Sequence, residues 1–145
     1  MRLLLVLSLL FMSVAAANEG AKEAETGAKY IEMTPKFTVN LAEPKKFLLV
    51  NVQLLVEGAT TVAAVKKHMP ALRHELIMLF SGRPSEELQT MEQREALRQQ
   101  TTTVIRETLE KMESSSGHGA AKKEHAEAGH EEGFKEAFFT EFLVD

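Results

Sequence analysis

Apolar positions along this chain fall into distinct regimes. Met1 and Arg2 precede a run from Leu3 to Val14 broken only by Ser8 and Ser13, and Ala15, Ala16 and Ala17 follow. That run is nearer fifteen residues than the ~20 a helix needs to cross a bilayer, and the alanines satisfy the small-x-small rule for cleavage before Asn18. Residues 1–17 therefore read as a cleaved signal peptide, the alternative being a short N-terminal membrane anchor. Residues 18–29 are small, polar and charged without any apolar period, which makes a tether. From Tyr30 the period becomes two. Phe37, Val39 and Leu41 alternate with polar neighbours, and Phe47–Val56 carries Leu48, Val50, Val52, Leu54 and Val56 on one face. Glu43-Pro44-Lys45-Lys46 is a turn, so these two strands are expected to pair as an antiparallel hairpin.

Beyond Glu57-Gly58 the period lengthens to that of a helix. Val62, Val65, Met69, Leu72, Leu76 and Leu79 recur at three- and four-residue steps, with Thr60 or Thr61 available as the cap. Pro70 either kinks this helix or opens a second one. Ser81-Gly82-Arg83-Pro84 stops it, and Thr90-Met91-Glu92-Gln93 has the spacing of a capping box. The long helix that follows bears Leu97, Thr101, Val104, Ile105, Leu109 and Met112 on one stripe. Arg106/Glu110 and Glu107/Lys111 are expected as pairs on its wet side. Residues 113–133 are rich in Gly, Ser, Glu and His and are expected to form a disordered insertion.

The closing segment, residues 134–144, reads as a strand. Strict alternation places Phe134, Phe138, Phe142 and Val144 on one face and Ala137, Phe139, Glu141 and Leu143 on the other. A two-layer domain covers one sheet face with helices, so Phe139, Glu141 and Leu143 are the candidate residues of an oligomer or partner interface. The fold class is α+β: a small, mostly antiparallel sheet packed against helices, spanning residues 30–145.

Charge and composition narrow the function. Lys and Arg total 17 against 21 Asp and Glu, a net of −4, which argues against nucleic acid as a partner. Cysteine is absent, so disulfides, thiol catalysis and iron–sulfur clusters are excluded. His118, His125 and His130, with six and four residues between them, are weak candidates for metal ligands. His68 and His74 do not share a helix face and are read as structural. No nucleophile elbow, phosphate-binding loop or zincin motif occurs, so neither catalysis nor a cofactor is expected.

Several segments together resemble one family. Tyr30-Ile-Glu-Met-Thr-Pro-Lys-Phe-Thr-Val-Asn-Leu-Ala42 and the strand from Phe47 to Glu57 resemble the opening of the periplasmic domain of FliL, the flagellar basal-body-associated family. So do the helix Met69-Pro-Ala-Leu-Arg-His-Glu-Leu-Ile-Met-Leu-Phe-Ser81, the stretch from Glu86 to Arg98, and the ending Ala137-Phe-Phe-Thr-Glu-Phe-Leu-Val-Asp145. The resemblance implies a fold similar to the stomatin/prohibitin domain and subunits that assemble side by side into rings. It further implies a non-enzymatic accessory at the periplasmic side of the inner membrane. Its partners would be stator proteins and basal-body components, and its role support of flagellar rotation, swimming or swarming and chemotaxis. The residues leave two other readings open: a periplasmic metal-binding protein using the His-containing segment, and a stomatin-like scaffold unconnected with flagella.

Overall fold

Phe47–Glu57 becomes the central strand of a four-stranded antiparallel sheet, as its double apolar character requires. The computed structural model describes residues 27–116 and 133–145. In chain order the elements are β1 (Ala28–Glu32), β2 (Phe37–Asn40), β3 (Phe47–Glu57), α1 (Ala59–Lys67) and α2 (Met69–Phe80). A 3-10 turn (Ser85–Leu88), α3 (Met91–Ser116) and β4 (Gly133–Val144) follow. β1 and β2 share one edge of β3, with Tyr30 opposite Leu55 and Val39 opposite Leu48. β4 takes the other edge along its whole length. The expected β2–β3 hairpin is present.

The turn of that hairpin is tied into the structure. Leu41 N–H donates to the Lys46 carbonyl at 2.9 Å, and Lys45 takes a left-handed φ of 65°. The Glu43 carboxylate accepts from the backbone N–H of Ser85 at 3.0 Å and from its hydroxyl at 2.9 Å. Those bonds, the backbone one foremost, hold the Glu43 carboxyl below the usual carboxylate range.

Neither Thr60 nor Thr61 caps α1. Gly58 occupies the N-cap with a φ of 91°, a conformation glycine enters without penalty, and the helix begins at Ala59. Pro70 opens a second helix instead of kinking one. The chain breaks at His68, whose carbonyl accepts the Leu72 N–H, and Pro70 sits in the first turn where its missing donor costs nothing. Gly82, at φ 70°, turns the chain away from α2, and its N–H donates to the Asn40 carbonyl at 2.9 Å. The capping box forms in both directions: Gln93 N–H donates to Thr90 Oγ1 at 3.2 Å, and Thr90 N–H donates to Gln93 Oε1 at 3.0 Å.

Four expectations are corrected at the boundaries and surfaces. β1 starts at Ala28, inside the expected tether of residues 18–29. α3 continues through Glu113–Ser116 and β4 begins at Gly133, so both ends of the expected insertion are regular structure. Residues 1–17, most of the tether, and His118, His125 and His130 lie outside the described residues. Arg106 does not turn to Glu110 but reaches β4, donating to the Lys135 carbonyl at 3.0 Å.

The fourth correction concerns β4. The register runs Val50–Phe142 and Asn51–Glu141, then skips Thr140 to pair Val52 with Phe139, and skips Lys135 to pair Val56 with Phe134. Each bulge sets two residues against one and advances the side-chain phase by one position. Two bulges invert the phase between them and restore it afterwards. Phe134, Phe142 and Val144 therefore share the helix-covered face with Ala137 and Phe139, while Phe138 moves to the opposite face with Glu141 and Leu143. Sequence alternation had Phe138 on the covered face and both Ala137 and Phe139 on the other.

The core lies between that covered face and the helices. Leu48, Val50, Val52, Leu54 and Val56 meet Phe37 and Val39 from β2, Leu72, Leu76 and Phe80 from α2, and Leu97, Ile105 and Leu109 from α3. Phe80 stands edge-on to Phe37 at 5.5 Å and to Phe139 at 6.0 Å between ring centroids. Arg73 binds the carbonyls of Met33 and Pro35 and lies 4.3 Å from the Phe37 ring centroid. The arginine of the Leu72-Arg73-His74 motif thus anchors the β1–β2 connection to α2.

Candidate interaction surfaces

Alternation along β3 sends Phe47, Leu49, Asn51, Gln53 and Leu55 to the face that no helix among the described residues covers. From β1 this face receives Tyr30 and Glu32, and from β4 it receives Phe138, Glu141 and Leu143. Tyr30 is 60% exposed and Leu143 is 51% exposed. Polar links cross the strands between the apolar groups. Lys36 forms an ion pair with Glu141, and Asn51 Nδ2 donates to Glu32 Oε1 at 2.7 Å. Asn51 is buried and its Oδ1 has no hydrogen-bond partner among the described residues. Tyr30 meets Phe138 edge-on with ring centroids 6.0 Å apart. The result is an open, amphipathic sheet face of the kind that binds protein surfaces.

The free edge of β4 is handled by α3. Arg94, Arg98, Thr102 and Arg106 recur at four-residue steps and so line up along one side of the helix. Each of the three arginines lies over a phenylalanine of β4: Arg94 over Phe142 at 5.0 Å, Arg98 over Phe138 at 5.7 Å and Arg106 over Phe134 at 5.7 Å. Between them they also close main-chain groups of the strand. Ala137 N–H donates to Thr102 Oγ1 at 3.1 Å, and the Ala137 carbonyl accepts from Arg98 at 3.0 Å. An apolar edge strand is thereby blunted by side chains instead of another strand. Arg98 in turn grips Glu95 through two nitrogens and reaches Glu136. The guanidinium bonds hold the Glu95 carboxyl down to about 2, and Glu95 first, then Glu136, raise Arg98 above its ordinary value.

Of the sequence candidates, Glu141 and Leu143 do share the open face. Phe139 does not, because the bulge at Thr140 turns it inward against Phe80 and Phe142. No group of three His, Asp or Glu among the described residues is placed to hold a metal ion. His68 Nε2 lies 2.8 Å from Glu113 Oε1, beside a cleft of about 400 Å³ lined by Thr60, Arg106 and Phe134. The arginine row was missed in the sequence. Its signal was present in the i, i+4, i+8, i+12 spacing, hidden because charged positions on a helix ordinarily face water.

Fold and surfaces together define an α+β module with one sheet face packed by helices and the other free for contact. No helix among the described residues is long and apolar enough to cross a membrane. The chain belongs to the family of the flagellar basal body-associated protein FliL, whose model matches residues 30–144. It is also similar to the flagellar protein FliL of Aquifex aeolicus (strain VF5), with 27% identity over 122 residues. That similarity covers 83% of this chain and 63% of the relative, so the chain spans less than two thirds of the relative's length.

Proposed function

We propose that this protein is a non-enzymatic accessory of the flagellar motor on the periplasmic side of the inner membrane. Its subunits associate into a ring beside the stator and other basal-body components and support rotation, swimming or swarming, and chemotaxis. Membership of the family over residues 30–144 is the observation that carries this reading. The uncovered sheet face supports it, since Leu143 and Tyr30 would lie exposed without a neighbour. Heterologous contacts between such faces and a different surface of the next subunit close into rings when the rotation permits. The stomatin/prohibitin likeness implied by the sequence is of the same kind.

Deleting the gene and tracking a fluorescent fusion in the same strain tests the proposal. Fusion foci at flagellar bases, with swimming or swarming reduced in the deletion and restored by the wild-type gene, are expected. A fusion spread evenly around the cell, with motility unchanged in the deletion, would refute it.

A further inference from the structure

The blunting of β4 by α3 stops partway along the strand. At its far end Phe47 and Asp145 exchange both main-chain hydrogen bonds, at 2.9 and 3.1 Å. Antiparallel pairing alternates, so Leu48–Val144 and Val50–Phe142 are the pairs without mutual bonds. The N–H and C=O groups of Phe142 and Val144 therefore point away from β3, toward the outer edge. None of the described residues hydrogen-bonds them there, whereas Arg98 and Thr102 close the equivalent groups of Ala137. Beside this open stretch is a groove of about 280 Å³ lined by Met91, Arg94, Phe139 and Phe142 together with Glu95 and Arg98, whose charges are paired with each other. Met91 is 79% exposed, a flexible apolar side chain able to fit varied surfaces. Arg94 spends one nitrogen on the Leu88 carbonyl and has no carboxylate partner among the described residues.

We infer that the open end of β4 receives an extended peptide segment of a partner protein as an added strand, with a carboxylate of that segment meeting Arg94. Main-chain bonds to Phe142 and Val144 supply affinity, and the groove selects the side chains. Charge argues for the acidic partner over a second copy. Among the described residues the other edge strands are β1, whose Glu32 is committed to Asn51 and which otherwise carries Lys29, of like charge to Arg94, and β2, which has no acidic residue. β4 itself brings Glu141, already paired with Lys36. The inference rests on the accessory reading above and names the surface that would serve it.

The test uses the full exported protein and a short fluorescein-labelled peptide of alternating valine and threonine with one central glutamate, beside a twin carrying lysine there. Saturable binding of the glutamate peptide is expected, with the lysine twin about tenfold weaker or more. Arg94→Glu should reverse that preference. Val144→Pro removes an outward N–H without touching the ladder to β3, and should weaken both peptides about tenfold with an unchanged circular dichroism spectrum. No saturable binding of the glutamate peptide, or binding indifferent to both substitutions, would overturn the inference. So would sedimentation showing a wild-type dimer that Val144→Pro makes monomeric, because a second copy would then fill the edge. These outcomes leave the flagellar reading untouched, which stands or falls on localisation and motility.

Discussion

Leu54 and Leu55 are neighbours on one strand, identical in chemistry, and sit in opposite worlds. Leu54 lies fully buried among β4, β1 and the helices, while Leu55 faces the uncovered side beside Tyr30. The same division runs across the whole sheet. Its inner face is held by hydrophobic burial and ring packing. Its outer face is held by cross-strand links, Lys36–Glu141 and Asn51–Glu32, with apolar groups left partly in water. A sheet that packs helices on one face alone draws its stability mainly from that face. Leu54→Ala should therefore cost about 3–4 kcal/mol and Leu55→Ala about 1 kcal/mol or less in urea unfolding. Equal losses would mean that the two faces are not energetically distinct.

Most of this division is legible in the strand period of the sequence. β3 shows its buried face because Leu48, Val50, Val52, Leu54 and Val56 keep unbroken alternation, and the β2–β3 hairpin follows from Pro44. The break at Pro70, read as either a kink or a second helix, and the capping box at Thr90 are local, governed by residues three or four apart. What failed needed information from a distance. Gly58 takes the cap from Thr60 because the chain must turn sharply off β3, and only glycine meets its φ of 91° without strain. The bulge at Thr140 is hidden because Phe138 and Phe139 beside it put apolar side chains on both faces, and at Lys135 the charged Lys135-Glu136 pair does not mark which residue is skipped. The arginine row of α3 acquires meaning only once β4 lies beside it. Of the candidate site, Glu141 and Leu143 were legible, and Phe139 was lost to the bulge.

That loss gives the second contrast. Phe139 packs against Phe80 and Phe142 on the inner face, and Phe138 touches Tyr30 on the outer one. Phe139→Ala is expected to destabilise by about 2–3 kcal/mol, and Phe138→Ala by about 1 kcal/mol. Light scattering should report a larger change in assembly for Phe138→Ala and for Leu143→Ala than for Phe139→Ala. Strict alternation demands the reverse order of stabilities, so chemical denaturation of the two neighbouring variants decides directly whether β4 is bulged.

The smallest expected effect belongs to the polar bonds at the margin of the outer face. Arg98 holds Glu95 through its Nε at 2.8 Å and Nη2 at 2.5 Å, with Gln99 adding a bond at 3.2 Å. The Arg98 bonds lower the Glu95 carboxyl from 4.5 to about 2 in the folded protein. A folded value below the unfolded one means that, as pH falls, the unfolded chain binds the proton first. The contribution is therefore complete above pH 4.5 and is lost as pH falls through the window down to about 2. Glu95 is exposed, so water and salt screen the pair and the effect is modest. Glu43, whose carboxyl is lowered by Ser85, titrates in wild type and variant alike and cancels between them. Thermal melts of wild type and Glu95→Gln should differ above pH 4.5 and converge toward pH 2, with the gap narrowing in molar salt. A gap that stays constant through that range would assign Glu95 a role in packing or helix propensity, and would remove the ion pair from what holds the outer face.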